Sequence, residues 1–269
     1  MPSSRYYRFK TISREEKIKK LKNLFFSLLL LTFILTVFWL IFISSFFSIQ
    51  NINFSDNTVL NRNDALNIIS SIAPFGLSEN LLILSKSRLK SELAAAFPSI
   101  TNVTIRKKLF HTVIIDFQKR IQVGIWCRSA ADHPQGDNCY YFDKDGVAFA
   151  ETPETEGSLI LKIEDLSKND ILLGDKVLDY NQINFIINFS SKAAENNKFK
   201  VLKFKIKPNL AVDLEAVTNK NWSIYLDQKQ DPAVAVNNLL SILEEAVKNT
   251  GNLEYVDLRI PSRVFYKLR

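Results

Sequence analysis

The strongest pattern along the chain is an apolar run at residues 24–47, where 24 consecutive positions carry no charged side chain. A helix of this length spans about 36 Å, whereas the hydrocarbon core of a bilayer is about 30 Å thick. A buried core helix would show a polar stripe, but only scattered Ser and Thr side chains interrupt this run. A secretory signal has a shorter apolar core followed by a small-residue cleavage site. We therefore expect an uncleaved transmembrane helix at residues 24–47.

Charge is distributed unevenly about this run. Residues 1–22 contain eight Lys or Arg and two Glu, whereas the rest of the chain has 27 basic and 26 acidic residues. The positive-inside rule therefore predicts that residues 1–23 lie in the cytoplasm and that the C-terminal part lies outside it. Because this exterior part is nearly neutral, it lacks the basic surface that a nucleic-acid partner requires.

Residues 48–119 show five short patterned segments. Apolar and polar positions alternate, as in half-buried strands, at residues 49–54, 100–105 and 113–117. Two segments between the first and second of these strands have helical spacing. The first begins at Asn61, with Asp64 three residues later, and ends at Pro74; the second ends at Pro98. The predicted order is strand, helix, helix, strand, strand.

Residues 120–269 have the pattern of a mixed, β-rich domain. A tight-turn signal at residues 143–146 lies between predicted hairpin strands. Two segments have helical spacing, at residues 179–197 and 231–251, and the second begins with an Asp-Pro pair typical of a helix start. The predicted strands are residues 122–127, 139–142, 147–149, 201–206, 210–214, 222–226, 253–258 and 263–268. The chain is thus expected to have an α+β fold.

Several segments of the exterior region carry motifs in a recognisable order: Gly76 with residues 80–82, then residues 98–107, 140–149, and 253–259 followed by 263–267. Residues 48–119 resemble a POTRA domain, which has the order βααββ. The exterior region as a whole resembles the FtsQ/DivIB family of bacterial cell-division proteins. The sequence departs from the family pattern at Phe110, where a proline is common, and at residues 119–122, where Glu-Arg-x-Pro is common.

Pattern and resemblance together predict four parts: a basic cytoplasmic tail (1–23), a transmembrane helix (24–47), a POTRA domain (48–119) and a C-terminal β domain with two or more helices (120–269). The resemblance implies a bitopic scaffold of the divisome, which links division proteins at the septum through its extracytoplasmic part. The implied partners are the membrane and division proteins of the FtsB/DivIC and FtsL type. The implied location is the cytoplasmic membrane at the division septum.

The last predicted strand is short, aromatic and close to the chain end, features typical of a strand at a sheet edge. Such an edge can accept a strand from another chain, with main-chain bonds giving affinity and alternate side chains giving specificity. We expect the partner-binding edge to consist of Arg263, Val264, Phe265, Tyr266 and Lys267, supported by Tyr255 and Val256 on the preceding strand. The alternative is that these residues only complete the core.

The sequence contains no recognisable catalytic arrangement. Its two histidines, His111 and His133, lack metal-ligand spacing to one another, and a zinc cluster of Cys127, His133 and Cys139 would lack a fourth ligand. Asp143 and Asp145 are more typical of a turn than of a calcium loop, and Glu244-Glu245 of a solvated helix face. We expect no catalytic, cofactor or metal site and no small-molecule substrate. The alternatives are a signal-anchored extracytoplasmic wall enzyme and a POTRA-type chaperone for outer-membrane proteins.

The two cysteines, Cys127 and Cys139, stand at the bases of an 11-residue loop between predicted hairpin strands. Outside the cytoplasm, a disulfide between them could persist. Closing a loop of this size stabilises a fold by about 2–3 kcal/mol in the chain-entropy model. We expect a disulfide that closes this loop; the alternative is two buried free thiols.

Overall fold

The computed structural model describes residues 14–42, 45–56, 58–72, 80–108, 111–128, 138–152, 160–166, 171–207, 213–247, 249–261 and 263–269. These residues form five α-helices and twelve β-strands. The chain divides into two compact units, one formed by residues 1–92 with 104–116 and the other by residues 93–103 with 117–269.

Helix α1 (Arg14–Phe42) contains residues 24–42 of the apolar run, and a short 3-10 helix (Ser45–Phe47) follows it. Within α1, Lys17–Phe42 is long and apolar enough to cross a membrane, and its most apolar part is exposed. The helix begins before residue 24 because the preceding Lys, Arg and Glu residues are good helix formers. It ends at Phe42, which is earlier than the predicted end at residue 47.

The next elements follow the predicted order of strand, helix, helix, strand and strand. They are β1 (Asn51–Phe54), α2 (Arg62–Ile72), α3 (Lys86–Ala96), β2 (Ile100–Lys108) and β3 (Thr112–Lys119). The three strands form a sheet in the order β1-β3-β2, with β1 and β3 parallel. At the start of α2, Asn61 Oδ1 accepts a bond from the N–H of Asp64 at 2.9 Å, the cap that the sequence predicts. The POTRA assignment itself stays a prediction.

The second sheet has nine strands in the order β12-β11-β10-β9-β8-β7-β4-β5-β6. In chain order, its strands are β4 (Gly124–Arg128), β5 (Asn138–Phe142), β6 (Ala148–Thr152), β7 (Leu161–Asp165), β8 (Val201–Ile206), β9 (Asp213–Thr218), β10 (Ser223–Asp227), β11 (Leu253–Asp257) and β12 (Phe265–Leu268). The helices of this unit are α4 (Tyr180–Ala194) and α5 (Pro232–Glu245).

Both helices act as crossovers between parallel strands, which cannot be joined by a tight turn. Helix α4 connects β7 to β8, and α5 connects β10 to β11. Each begins at an aspartate N-cap: Asp179 forms a capping box with Gln182, and Asp231 accepts bonds from the N–H groups of Ala233 and Val234. These caps fix where each crossover begins.

The main core lies between the nine-stranded sheet and the two helices. Helix α4 contributes Ile183, Ile186 and Phe189, and α5 contributes Val236 and Leu239. The largest fully buried side chains of this core are Trp126, Phe142, Phe189, Phe199, Phe204 and Trp222. Each such aromatic ring buries a large apolar area in this core.

Three sequence predictions in this unit need correction. Strand β7 (Leu161–Asp165) was not predicted, although Leu161, Lys162, Ile163 and Glu164 alternate between apolar and charged side chains. The strand expected at residues 210–214 is β9 (Asp213–Thr218). The helix expected to continue to Gly251 ends at Glu245, and Thr250–Asn252 forms a separate 3-10 turn.

Candidate partner-binding edge

Strand β12 is the terminal strand of the nine-stranded sheet, and among the described strands it pairs with β11 alone, antiparallel. The register places Tyr255 opposite Lys267 and Val256 opposite Tyr266. The structure therefore brings together residues of the two strands that the sequence predicts as a partner-binding edge. On its other side, β11 pairs in parallel with β10.

The side chains of β12 are exposed on both faces of the sheet. Val256 is fully buried, so Tyr266 opposite it lies on the helix-covered face, whereas Phe265 and Lys267 lie on the other face. Phe265, Tyr266 and Leu268 are 48%, 40% and 51% exposed. These are high values for large apolar side chains of a sheet strand, and they mark the edge as an apolar surface.

The backbone of β12 also presents hydrogen-bonding groups at the open edge. The N–H of Arg269 donates to the carbonyl of Asn252 at 2.8 Å and so faces the β11 side. Because N–H groups alternate in direction along an antiparallel strand, those two and four residues earlier face β11 as well. The N–H groups of Tyr266 and Leu268 therefore face away from the sheet, where the carbonyl groups of an added strand could accept hydrogen bonds from them.

The strand is shorter than predicted at its start. Arg263 is exposed and precedes β12, with its N–H donating to the carbonyl of Ile260 at 3.2 Å, while Val264 packs against the main core. On the strand itself, Lys267 forms an ion pair with Glu254 at 2.8 Å. The hydrogen bond to Glu254 raises the pKa of Lys267, so this cation stays charged at the edge.

A polar cluster that sequence reasoning missed lies on β10 and β11 and on residues that follow β8 and β11. The ring of Tyr225 on β10 is 5.2 Å from Lys207 Nζ and 5.2 Å from the guanidinium carbon of Arg259. The ring of Tyr255 is also 5.2 Å away. These are cation–π and aromatic contacts. The signal for this cluster is the run of polar residues at every second position of neighbouring strands, which becomes visible once the strand order is known.

Ionisable groups around this cluster are held in their charged forms. Burial raises the pKa of Glu215, but hydrogen bonds from Lys207 at 2.8 Å and Ser223 at 2.7 Å outweigh it, and the net shift is downward. Burial likewise opposes ionisation of Asp257, and the hydrogen bonds from Arg259 outweigh it, so its pKa is lowered. The sheet face beside β12 therefore carries fixed charges and aromatic rings.

The opposite edge of the sheet is partly covered where β6 begins. The N–H of Ala148 donates to the carbonyl of Asp175 at 2.9 Å, and the N–H of Gly174 donates to the carbonyl of Ala148 at 2.7 Å. An isolated bridge also joins Val147 to Lys176. The first residues of β6 thus have main-chain partners on their outer side.

No family model matches the chain, and no curated protein matches it.

The predicted cysteine pair lies on neighbouring strands. Cys127 on β4 and Cys139 on β5 are directly opposite in the register, with their Cα atoms 4.1 Å apart, and they are joined by a disulfide. Both are buried in a small cluster with Ile125 and Tyr141. The disulfide closes a loop whose residues 129–137, including His133, lie outside the described residues.

The other residues considered for chemistry have structural contacts. His111 Nδ1 is 3.0 Å from the carbonyl of Ser48, and Glu244 forms an ion pair with Lys198 at 2.8 Å. Asp143 accepts bonds within its own turn and from Arg120. Across the described ranges, no group of three or more His, Cys, Asp or Glu side chains is placed to hold a metal ion.

Two clefts lie away from the β12 edge. One, of about 520 Å³, is lined by α4 and β8, including Ser190, Ala194 and Leu202. The other, of about 640 Å³, lies between the start of α4 and the turn before α5 and is lined mainly by Asn, Gln and Asp side chains. Neither cleft includes a residue of the edge.

Proposed function

We propose that this protein is a membrane-anchored scaffold of the bacterial division machinery, which binds a partner chain by strand addition at β12. Helix α1 anchors it in the cytoplasmic membrane, with the basic N-terminal residues in the cytoplasm and residues 48–269 outside. Its place of action is the division septum. The proposal joins the resemblance to the FtsQ/DivIB family with the geometry of the edge.

The observation that carries the proposal is the open edge of β12. Its exposed Phe265, Tyr266 and Leu268 offer apolar contacts, and its outward N–H and C=O groups offer main-chain bonds. An extended segment of a partner would pair with this edge, as in β-augmentation. By the resemblance, the partner is a division protein of the FtsB/DivIC type, bound together with one of the FtsL type.

The test is capture of the host's FtsB/DivIC-type protein by the full-length chain in detergent. Tyr266→Pro removes an outward N–H and adds a ring at the edge, while the bonds to β11 made by neighbouring residues remain. We expect capture to fall about tenfold or more, since one main-chain bond is lost and the proline ring obstructs the neighbouring bonds to the added strand. Tyr266→Val is the matched control, because it keeps the N–H and the strand preference and should retain most of the capture.

Undiminished capture by Tyr266→Pro would refute the edge as the binding site. Equal losses in the Pro and Val variants would show that the aromatic ring, not the main chain, makes the contact. The division function has a separate test: depletion of the protein should produce cells that grow but filament. Normal septation after depletion would refute the division role whatever the edge binds.

A further inference from the structure

The turn at residues 80–82 is tied directly to the end of helix α1. Asn80 is 7% exposed, and its Nδ2 donates to the carbonyl of Ile41 in the last turn of α1 at 2.6 Å. Asn80 also forms an antiparallel bridge with Ser48, and the N–H of Leu81 donates to the carbonyl of Phe47 at 2.8 Å. These bonds fix the turn beside the point where the chain leaves α1.

This attachment determines where the turn lies relative to a bilayer, given the membrane anchor of the proposed function. The apolar part of α1 that ends at Phe42 is about 28 Å long, close to the thickness of a hydrocarbon core. Ile41 therefore lies at the outer boundary of that core. A side chain bonded to its carbonyl at 2.6 Å must lie at the level of the lipid headgroups.

The surface around the turn has the composition of a membrane interface. Leu82 and Phe46 are 45% and 49% exposed although both are large and apolar. Lys107 Nζ donates to the carbonyl of Leu82 at 3.2 Å. Burial, and then the positive charge of nearby Lys86, lower the pKa of Lys107. Within the described part of the chain, neither lysine forms an ion pair with a carboxylate.

We propose that Phe46, Leu82, Lys86 and Lys107 form a juxtamembrane patch that docks on the outer surface of the membrane and binds the phosphates of anionic lipid headgroups. The two apolar side chains enter the boundary between headgroups and acyl chains, and the two lysines supply charge complementarity to the lipid. This inference rests on the proposed anchor. Its consequence is that the part of this unit that follows α1 has a fixed orientation on the bilayer.

The experiment uses the full-length chain with Leu82→Cys, labelled with a fluorophore and reconstituted into vesicles. Because Cys127 and Cys139 are already joined, the introduced thiol is the one labelled. Quenching is compared between nitroxides on lipid headgroups and iodide in the water. Thr58→Cys, exposed in the same unit beyond the end of β1, is the matched control. Label at position 82 should be quenched mainly by the lipid, and label at position 58 mainly by iodide.

Lipid charge is tested with vesicles of phosphatidylcholine alone or with phosphatidylglycerol. The Lys86→Gln, Lys107→Gln double variant should reduce the ratio of lipid-contacting to water-exposed label about fivefold per lysine in the anionic vesicles. Removing two exposed lysines of the other unit, by Lys220→Gln and Lys229→Gln, should leave that ratio unchanged. The same ratio for the unsubstituted lysines in both lipid mixtures would overturn the assignment of anionic lipid as the ligand.

Extraction with alkaline carbonate separates this inference from the proposed anchor. If the chain resists extraction but iodide quenches position 82 as strongly as position 58, the lipid contact is refuted and the anchor stands. If carbonate releases the chain, the anchor is refuted, and the inference falls with it.

Discussion

Replacing Asp143 with alanine tests the buried ion pair that closes the turn after β5. Asp143 is 4% exposed, and its carboxylate accepts bonds from the guanidinium of Arg120 and from the N–H groups of Asp145 and Val147, the latter two at 3.0 Å each. Arg120 also donates from Nε to the carbonyl of Pro98 at 2.9 Å. One carboxylate thus holds a turn and a guanidinium from a distant part of the chain.

The expected cost follows from this burial. The Arg120 side chain is 16% exposed and the Asp143 side chain 6%, so the alanine variant leaves a cation with little access to water and two N–H groups without acceptors. Removing one partner of a buried ion pair costs about 3–5 kcal/mol. For a unit the size of residues 93–103 with 117–269, this corresponds to a fall in Tm of roughly 6–20 °C.

The assay is thermal unfolding of the full-length chain in detergent, followed by near-ultraviolet circular dichroism. Asp145→Ala is the matched control: Asp145 pairs with Lys144 at 3.3 Å, and both side chains are largely exposed. This surface pair contributes at most about 1 kcal/mol. The double variant Arg120→Met, Asp143→Leu should recover much of the loss, since it leaves no unpaired charge. A Tm for Asp143→Ala equal to that of Asp145→Ala would refute the reasoning.

Two further predictions concern the same unit. Reduction of the bond between Cys127 and Cys139, or replacement of both by alanine, should lower the free energy of unfolding by about 2–3 kcal/mol, measured by denaturant titration with and without reductant; an unchanged midpoint would contradict it. The lowered pKa of Glu215, held down against burial by Lys207 and Ser223, predicts an acid-dependent loss of stability. The unfolded chain binds a proton more readily, so this stability is complete above the ordinary value of 4.5 and is lost as pH falls through the lowered pKa. Glu215→Gln should flatten the Tm profile below pH 5, and an unaltered profile would count against it.

Elements with strong local signals could be predicted from the sequence. The capped starts of α2 and α5 and the alternating strand β8 lie where their residues indicate. Strand β7 was missed although its residues alternate, and its place between β4 and β8 is not contained in its own sequence. In the sheet, Glu164 accepts a bond from Lys203 of β8 at 2.6 Å. The residues next to Glu164 in the sequence do not show that its side chain will pair with a lysine 39 positions away.

The same limit applies to the candidate edge. The aromatic, alternating residues near the chain end predict a strand, but its position depends on the α5 crossover, which places β11 beside β10. That crossover also brings Tyr255 next to Tyr225, thirty positions earlier in the chain. The direction of the Tyr266 N–H likewise follows from pairing with β11, so the sharpest test of the edge could not be designed from the sequence alone.

The two ends of the large sheet differ in a way that favours strand addition at β12. Exposed edges promote aggregation, and proteins usually protect them with cover, charge, proline or bulges. The first residues of β6 are covered by main-chain bonds from residues 174–175. At the other end, the irregularity in pairing lies between Leu253 and Tyr255, on β11 and not on the edge strand β12. The charge of Lys267 on β12 is already paired with Glu254. In the proposed strand addition, a partner's strand would cover the three large exposed apolar side chains of this edge and would also pair with its backbone.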